Sequence, residues 1–285
     1  MRFFRPELAL GILLPPQEAL EDKFGGLPWG LAPGRWPKCA ECGKPMTHLA
    51  QLIHHAERLD LGADGRVAVI FQCNGGSCSS WDQVAGANTV LIIEAAEVGQ
   101  GLANEPEAET PFEAEARVRT WHQLDDGISP ENFAKFFADA EYTALSSEIQ
   151  SLPGLESRLA GTPSWLQNPS EAPKPPFRFA GQFDSTHRFA GPVPPARQVH
   201  CTITRKEGDS YRHEQPKWPF WTTLLGAGKD KLTQAQNLGR PRQITVSEDG
   251  SYLCDAANYG DAGIGYLFVN PDTASPKGRF FWQCL

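Results

Sequence analysis

Two stretches decide how this chain is read: Pro45-Met46-Thr47-His48-Leu49-Ala50-Gln51-Leu52 and Pro176-Phe177-Arg178-Phe179-Ala180-Gly181-Gln182-Phe183. Each opens with proline, alternates in strand fashion, and puts two small residues in front of a glutamine. Each also follows a Gly/Pro/Trp turn, Gly26-Leu27-Pro28-Trp29 in the first case and Gly161-Thr162-Pro163-Ser164-Trp165 in the second. From glycine to glutamine the spacing is 25 residues in the first stretch and 21 in the second. The shorter one lacks a Cys-x-x-Cys turn, the natural place for a deletion. The pattern reads as one strand unit duplicated, neither copy able to bury its face alone. The small pairs Ala50-Gln51 and Gly181-Gln182 would let another backbone approach closely. A third echo, Phe71-Gln72-Cys73 against Trp282-Gln283-Cys284, would extend the match.

Two further strands are expected around the first copy: Val67-Ala68-Val69-Ile70-Phe71 and Thr89-Val90-Leu91-Ile92-Ile93, both rich in β-branched residues. The apolar run Leu8-Ala9-Leu10-Gly11-Ile12-Leu13-Leu14 has Glu7 at its start and Pro15-Pro16 where a signal peptide would carry small residues. It reads as a strand. Ser129, Pro130 and Glu131 form a helix start, with Phe133, Phe136, Phe137, Ala140 and Ala144 on one apolar stripe and Pro153-Gly154 as the stop. Residues 226–251 are polar and receive no assignment. The expected fold is therefore α+β and β-rich: internally duplicated strand units in packed antiparallel sheets, with a helical insert and a zinc knuckle. Residues 1–98 form the first repeat, 99–157 an acidic connector with the helical insert, and 158–285 the second repeat without metal.

The knuckle follows from the cysteines. Cys39 and Cys42 are separated by two residues and followed by Gly43; Cys73 and Cys78 flank Asn74-Gly75-Gly76. Two tight turns, each offering a thiolate pair, match a tetrahedral zinc site with metal–sulfur bonds of about 2.3 Å. Four sulfur ligands leave no position for water, so one structural zinc per chain is expected. Lys38 and Lys44 would offset part of the charge. His48, His54 and His55 are the substitute ligands. Cys201, Cys254 and Cys284 show no partner spacing and read as packing residues.

In 285 residues the chain has 27 Gly and 24 Pro, a usage that favours turns and short strands over long helices. Its net charge of −8 excludes a phosphate-backbone binder, which needs a basic stripe, and suits a basic partner. No run approaches the roughly 18 apolar residues of a membrane span. Seven cysteines cannot all pair within one chain, which favours a reducing, cytoplasmic setting.

The residues Lys23-Phe24-Gly25-Gly26-Leu27-Pro28-Trp29, Trp36-Pro37, Pro45-Met46 and Leu49-Ala50-Gln51-Leu52 resemble the bacterial YwqG family. So, in the second half, do Gly161 to Gln167, Phe179 to Ser185, Gly260 to Phe268 and Phe281-Trp282-Gln283-Cys284. The pattern is also similar to the eukaryotic programmed cell death 2 proteins, dedicated chaperones of a newly made ribosomal protein. The resemblance implies a duplicated β-rich fold whose surface holds a protein or peptide client without catalysis. Trp29 and Trp165, at the two turns, are candidates for a structural role first and ligand contact second. Two alternatives stand beside this reading. One is a hydrolase or other enzyme with a pocket between the repeats, for which Asp261 and His187 are the residues to watch, His200 and His213 being isolated. The other is an immunity protein that neutralises a basic toxin.

Overall fold

The computed structural model describes residues 1–106, 112–208, 210–215 and 241–285. The larger of its two sheets has ten strands in the order β15-β14-β8-β7-β1-β6-β2-β3-β4-β5. They are β1 (Arg2–Leu10), β2 (Lys23–Phe24), β3 (Thr47–Ile53), β4 (Val67–Gln72), β5 (Asn88–Ile93), β6 (Ala116–Asp125), β7 (Arg158–Ala160), β8 (Arg178–Asp184), β14 (Ile264–Asn270) and β15 (Lys277–Gln283). Read inward from its two ends, this order pairs β5 with β15, β4 with β14, β3 with β8, β2 with β7 and β6 with β1. The sheet is a pseudo-twofold dimer of five-stranded halves.

The register confirms the duplication at single-residue level. Gln51 lies opposite Val69 and Ala50 opposite Ile70; Gln182 lies opposite Tyr266 and Gly181 opposite Leu267. Both ladders then skip one residue, Leu49 in the first copy and Ala180 in the second. The turns correspond as well: Gly25 and Gly26 sit at φ 60° and 62°, Ala160 and Gly161 at 58° and 70°.

The shared glutamine has a plain physical task. Gln51 Oε1 accepts from the Trp29 amide at 2.6 Å, while its Nε2 donates to the Glu21 carbonyl at 3.1 Å. Gln182 Oε1 accepts from the Ser164 amide at 2.8 Å, and its Nε2 donates to the Gly154 and Glu156 carbonyls at 3.0 and 3.1 Å. Both side chains are fully buried. Each one satisfies backbone groups of a turn that departs from the sheet and cannot use the ladder. The small residue beforehand is also explained. A Cβ on Gly181 would stand 2.6 Å from the Arg158 carbonyl oxygen. The third echo is not an equivalence: Phe71 and Gln72 lie on β4, whereas Trp282 and Gln283 lie on β15, the counterpart of β5.

The copies are interlocked. β1 lies inside the stretch read as the first repeat, yet pairs with β7 of the second. β6 precedes the second copy, yet pairs with β2 of the first. β1 and β6 then pair with each other from Arg2↔Asp125 to Leu10↔Ala116. The segment read as a connector thus contains a central strand. Residues 98–103 are also tied to the first turn, through Gly99 N–H to Gly30 O at 2.9 Å and Ala103 N–H to Pro28 O at 2.8 Å. Residues 107–111 of that segment lie outside the described residues.

The sheet curls until its ends approach one another: a Cβ on Gly278 of β15 would collide with Val90 of β5. Arg66 bridges the same gap by donating to the Asp272 carbonyl at 3.2 Å. Even-numbered residues of β4 (Ala68, Ile70) join Leu267 and Phe280 in the main core, while Val67, Val69 and Phe71 face the other way, under the cysteine loops. In the second copy Ile264, Tyr266 and Phe268 face outward onto Trp165 and the helical insert.

That insert is not the single helix expected. Ser129 caps it and Pro130 opens it, but the helical turns are Pro130–Phe133, Ala134–Phe137, Asp139–Thr143 and Ser147–Ser151. Ala138 is extended. The Phe136 carbonyl, which a continuous helix would give to the Ala140 amide, accepts the Trp165 indole N–H at 2.7 Å instead. Ala140 and Ala144 are consequently exposed. The second copy also carries a five-stranded sheet between β8 and β14, with order β11-β10-β12-β13-β9. Its strands are β9 (Thr186–Phe189), β10 (Thr202–Glu207), β11 (Ser210–Glu214), β12 (Gln243–Val246) and β13 (Tyr252–Asp255). The β10–β12 pair is parallel, a departure from purely antiparallel sheets. Of the unassigned region 226–251, residues 226–240 lie outside the described residues and Gln243–Val246 form β12.

Gln51→Ala and Gln182→Ala should each lower the unfolding free energy by about 2–3 kcal/mol, because each leaves buried backbone groups unpaired. Urea unfolding measures this; a loss below about 0.5 kcal/mol in both variants would contradict the bracing role.

Candidate metal centre

The four clustered cysteines converge. The Sγ atoms of Cys39, Cys42, Cys73 and Cys78 all lie within 4.8 Å of one another, and those of Cys42 and Cys73 are 3.6 Å apart. Four sulfurs at about 2.3 Å from one central ion would be about 3.8 Å apart. A disulfide would need about 2.05 Å. The donor set and its spacing fit a thiophilic metal ion.

Local backbone chemistry builds the site from two turns. An isolated bridge between Lys38 and Pro45 closes the first. Within it, the Cys39 amide donates to Lys44 O and the Gly43 amide to Cys39 O, both at 2.9 Å, with Gly43 at φ 72°. That left-handed position is why glycine follows the second cysteine. The second turn begins where β4 ends. The Cys73 amide donates to Ala87 O at 2.8 Å and the Cys78 amide to Gly75 O at 3.1 Å. A bond from the Ala40 amide to Gly86 O at 3.0 Å holds the two turns against a common loop. A Cβ on Gly75 would lie 3.3 Å from both Cys73 Sγ and Cys78 Sγ, so the sulfurs leave little room for a side chain there.

Backbone amides also reach the sulfurs. The Gly75 amide donates to Cys73 Sγ at 3.3 Å. The Lys44 amide does the same for the exposed Cys42 and brings its thiol down to about 7. Burial pushes the Cys73 thiol up to about 11 and raises Cys78 as well. Cys39, Cys73 and Cys78 are buried among Leu31, Met46, Val69 and Phe71, so the centre doubles as the cover for the outer face of β4. The Trp36 ring packs on Phe71 at 5.3 Å and its indole N–H donates to Met46 O at 2.8 Å. Lys38 and Lys44 keep exposed side chains beside the turn.

The substitute ligands have other work. His48 Nδ1 donates to the turn carbonyls of Gly25 and Gly26, each at 3.1 Å, and burial drops its pKa to about 3. His54 Nδ1 accepts from the Leu61 amide at 2.9 Å, and His55 Nδ1 from the Glu57 amide at 3.3 Å. Cys201 and Cys254 are core residues, and Cys284 is half-buried. Trp29 and Trp165 are both buried. Asp261 is exposed in a turn whose next residue, Ala262, has φ 49°.

One cluster escaped the sequence reading. His187, Asp184, Glu113 and Tyr259 line a cavity of about 10 Å³, the size of a single water, at the junction of the halves. Burial drops the His187 pKa to about 4 and lifts Glu113 to about 6. Asn74, next to Cys73, donates to Glu113 Oε1 and to Thr47 Oγ1, each at 3.1 Å. Glu113 was hidden by its neighbourhood, a Gly/Ala/Pro/Glu-rich stretch with no periodicity.

No protein-family model matches the chain. No curated protein matches it either.

At neutral pH the Cys73 and Cys78 thiols hold their protons, and an ion must displace both. Metal affinity should therefore rise by at least about a hundredfold per pH unit between pH 6.5 and 7.5, since these two protons are released whatever the other two thiols add. Competition with a chromophoric chelator at the two pH values measures this, and a pH-independent affinity would contradict a thiolate site.

Proposed function

We propose that this chain is a cytoplasmic, zinc-stabilised binding protein of the YwqG type that holds a protein client and performs no catalysis itself. The observation that carries the zinc is the four-sulfur cluster, all within 4.8 Å. Zinc favours tetrahedral thiolate sets, and a four-thiolate ion has no open position for substrate or water. Its role is then structural, and its binding free energy is folding free energy. Seven free thiols suit a reducing compartment. Among the described residues no helix is long and apolar enough to cross a membrane.

The client role draws on two further supports. The net charge of −8 creates a field that attracts basic partners and repels nucleic acid. The resemblance to YwqG proteins, and through them to chaperones of a ribosomal protein, names the same class of partner: a basic chain held before it is assembled.

A specific observation favours a second reading, an enzyme using a pocket between the repeats: His187, Asp184, Glu113 and Tyr259 share one cavity. Titratable groups gathered and shifted by burial are what a catalytic site also requires. A hydrolase screen with wild type and His187→Ala separates the readings, since a turnover lost on that substitution would replace the binding role.

Purified protein should carry about one zinc per chain by plasma mass spectrometry. Cys39→Ser should lose the metal and most of the cooperative unfolding transition. A basic protein should copurify with the chain and dissociate in moderate salt, as screened electrostatics require. Metal-free wild type with an unchanged melting temperature would remove the structural zinc, and a chain that stays bare in native capture would remove the client.

A further inference from the structure

The four sulfurs of the cluster are not equally placed. Cys39, Cys73 and Cys78 are 2%, 2% and 5% exposed, whereas Cys42 stands on the surface of its turn. The space beside it is open: a Cβ on the next residue, Gly43, or on Gly76 of the second turn would meet nothing within 4 Å. Lys38 and Lys44 keep exposed side chains on the same turn. The one carboxylate there, Glu41, is engaged by the Ser79 amide at 2.9 Å and the Ser79 hydroxyl at 3.3 Å. An exposed sulfur beside cations is the setting in which a cysteine thiolate meets and reduces peroxides.

A resolving partner is already in place. Cys42 Sγ lies 3.6 Å from Cys73 Sγ, so a disulfide of about 2.05 Å needs the two atoms to close by only about 1.5 Å. Cys73 is fixed at the end of β4, where its amide donates to Ala87 O at 2.8 Å. The movement falls to the Cys42 side, where residues 40–44 are all exposed and no strand or helix constrains them. The other thiols are placed differently. Cys201 and Cys254 are in the core, and half-buried Cys284 packs against Gly260.

We infer that Cys42 is a peroxide-reactive site, and that Cys73 resolves its oxidised form into a Cys42–Cys73 disulfide with release of the ion. The inference rests on the four-sulfur zinc reading above and adds a chemistry to that site. The Cys42 thiolate takes one oxygen from hydrogen peroxide, the O–O bond breaks, and a sulfenic acid and hydroxide result. The Cys73 thiolate then attacks the Cys42 sulfur, forming the S–S bond and expelling a second hydroxide. Each sulfur gives up one electron, the peroxide takes both, and two solvent protons turn the hydroxides into water. Cys39 and Cys78 remain, too few sulfurs for a closed tetrahedral site. The new bond joins the same two turns that the ion joins, so the cover over β4 stays shut. A Cys39–Cys42 bond would tie one turn to itself and leave that cover loose.

Thiol mapping of the full chain after treatment with equimolar hydrogen peroxide tests it. One sample contains dimedone to trap sulfenic acid; in both, free thiols are then blocked with N-ethylmaleimide and the digest is read by mass spectrometry, while a chromophoric chelator follows zinc. Dimedone should label Cys42 before any other cysteine. Without dimedone, a Cys42–Cys73 cross-link should form with loss of an equal amount of zinc. The oxidised chain held in chelator should melt above the reduced chain stripped by the same chelator, because the disulfide still ties the turns. Cys42→Ser should leave Cys39, Cys73 and Cys78 unlabelled; if that variant fails to fold, the wild-type map decides alone. First labelling at Cys284 or any other cysteine would overturn the inference. So would pairing of Cys42 with Cys39 or Cys78, zinc retained after the disulfide forms, or equal melting of the two chelated chains. A wild type isolated without zinc would remove the metal reading, and the map would still decide the oxidation site.

Discussion

Two strands of this molecule are apolar on both faces, and every other part of the fold answers to that constraint. All six residues of β4 are buried, as are Ile264 to Val269 of β14. A strand of this kind cannot lie on a surface. It needs a layer above and a layer below. The inner layer is common to both copies: the curled sheet closes on Leu49, Leu52, Ala68, Ile70, Leu267 and Phe280, with Ile203, Ile244 and Tyr252 of the second sheet packed against them. The outer layers differ. The second copy covers β14 with Trp165 and the aromatic turns of the insert. The first copy covers β4 with loops that carry no helix.

A loop without regular structure is a weak cover, because ordering each residue costs about 1–2 kcal/mol of backbone entropy. The segment 25–46 packs Leu31, Trp36 and Met46 onto Val69 and Phe71, and those few contacts must hold it in place. A structural zinc contributes about 10–16 kcal/mol in small domains. On this account the ion does for the first copy what the helical insert does for the second. Bound there, it would tie the Cys39–Cys42 turn to the end of β4, so the loop would be ordered by four bonds where packing alone is thin. The two copies are alike in their strands, turns and buried glutamines, and they diverge where each had to find its own roof.

Much of this was legible in local sequence. Gln51 and Gln182, the paired turns and the two cysteine turns carry signals because each depends on a few adjacent residues with strict needs: a positive φ, an amide to satisfy, a thiolate pair. Strands 67–72 and 88–93 were readable from β-branched runs for the same reason. What escaped depends on distant partners. The exchange of β1 and β6 is invisible because β6 has an exposed, polar outer half, Arg119 to Gln123, and no apolar run to announce it. The broken insert looked continuous because the residue that interrupts it, Trp165, lies far along the chain. Glu113 meets His187, Asp184 and Tyr259 only where the two halves join, and no spacing predicts that. Among the candidate ligands, the four cysteines converge, while His48, His54 and His55 hold backbone groups elsewhere.

The central claim is that one ion, held by four sulfurs, is the roof of the first copy. X-ray absorption at the zinc edge of the purified protein tests it most directly. Four sulfur scatterers at about 2.3 Å, with no oxygen or nitrogen in the first shell, are the predicted result. A shell with two or fewer sulfurs, or with light-atom ligands, would mean that Cys39, Cys42, Cys73 and Cys78 do not share an ion, and the cover over β4 would need another explanation.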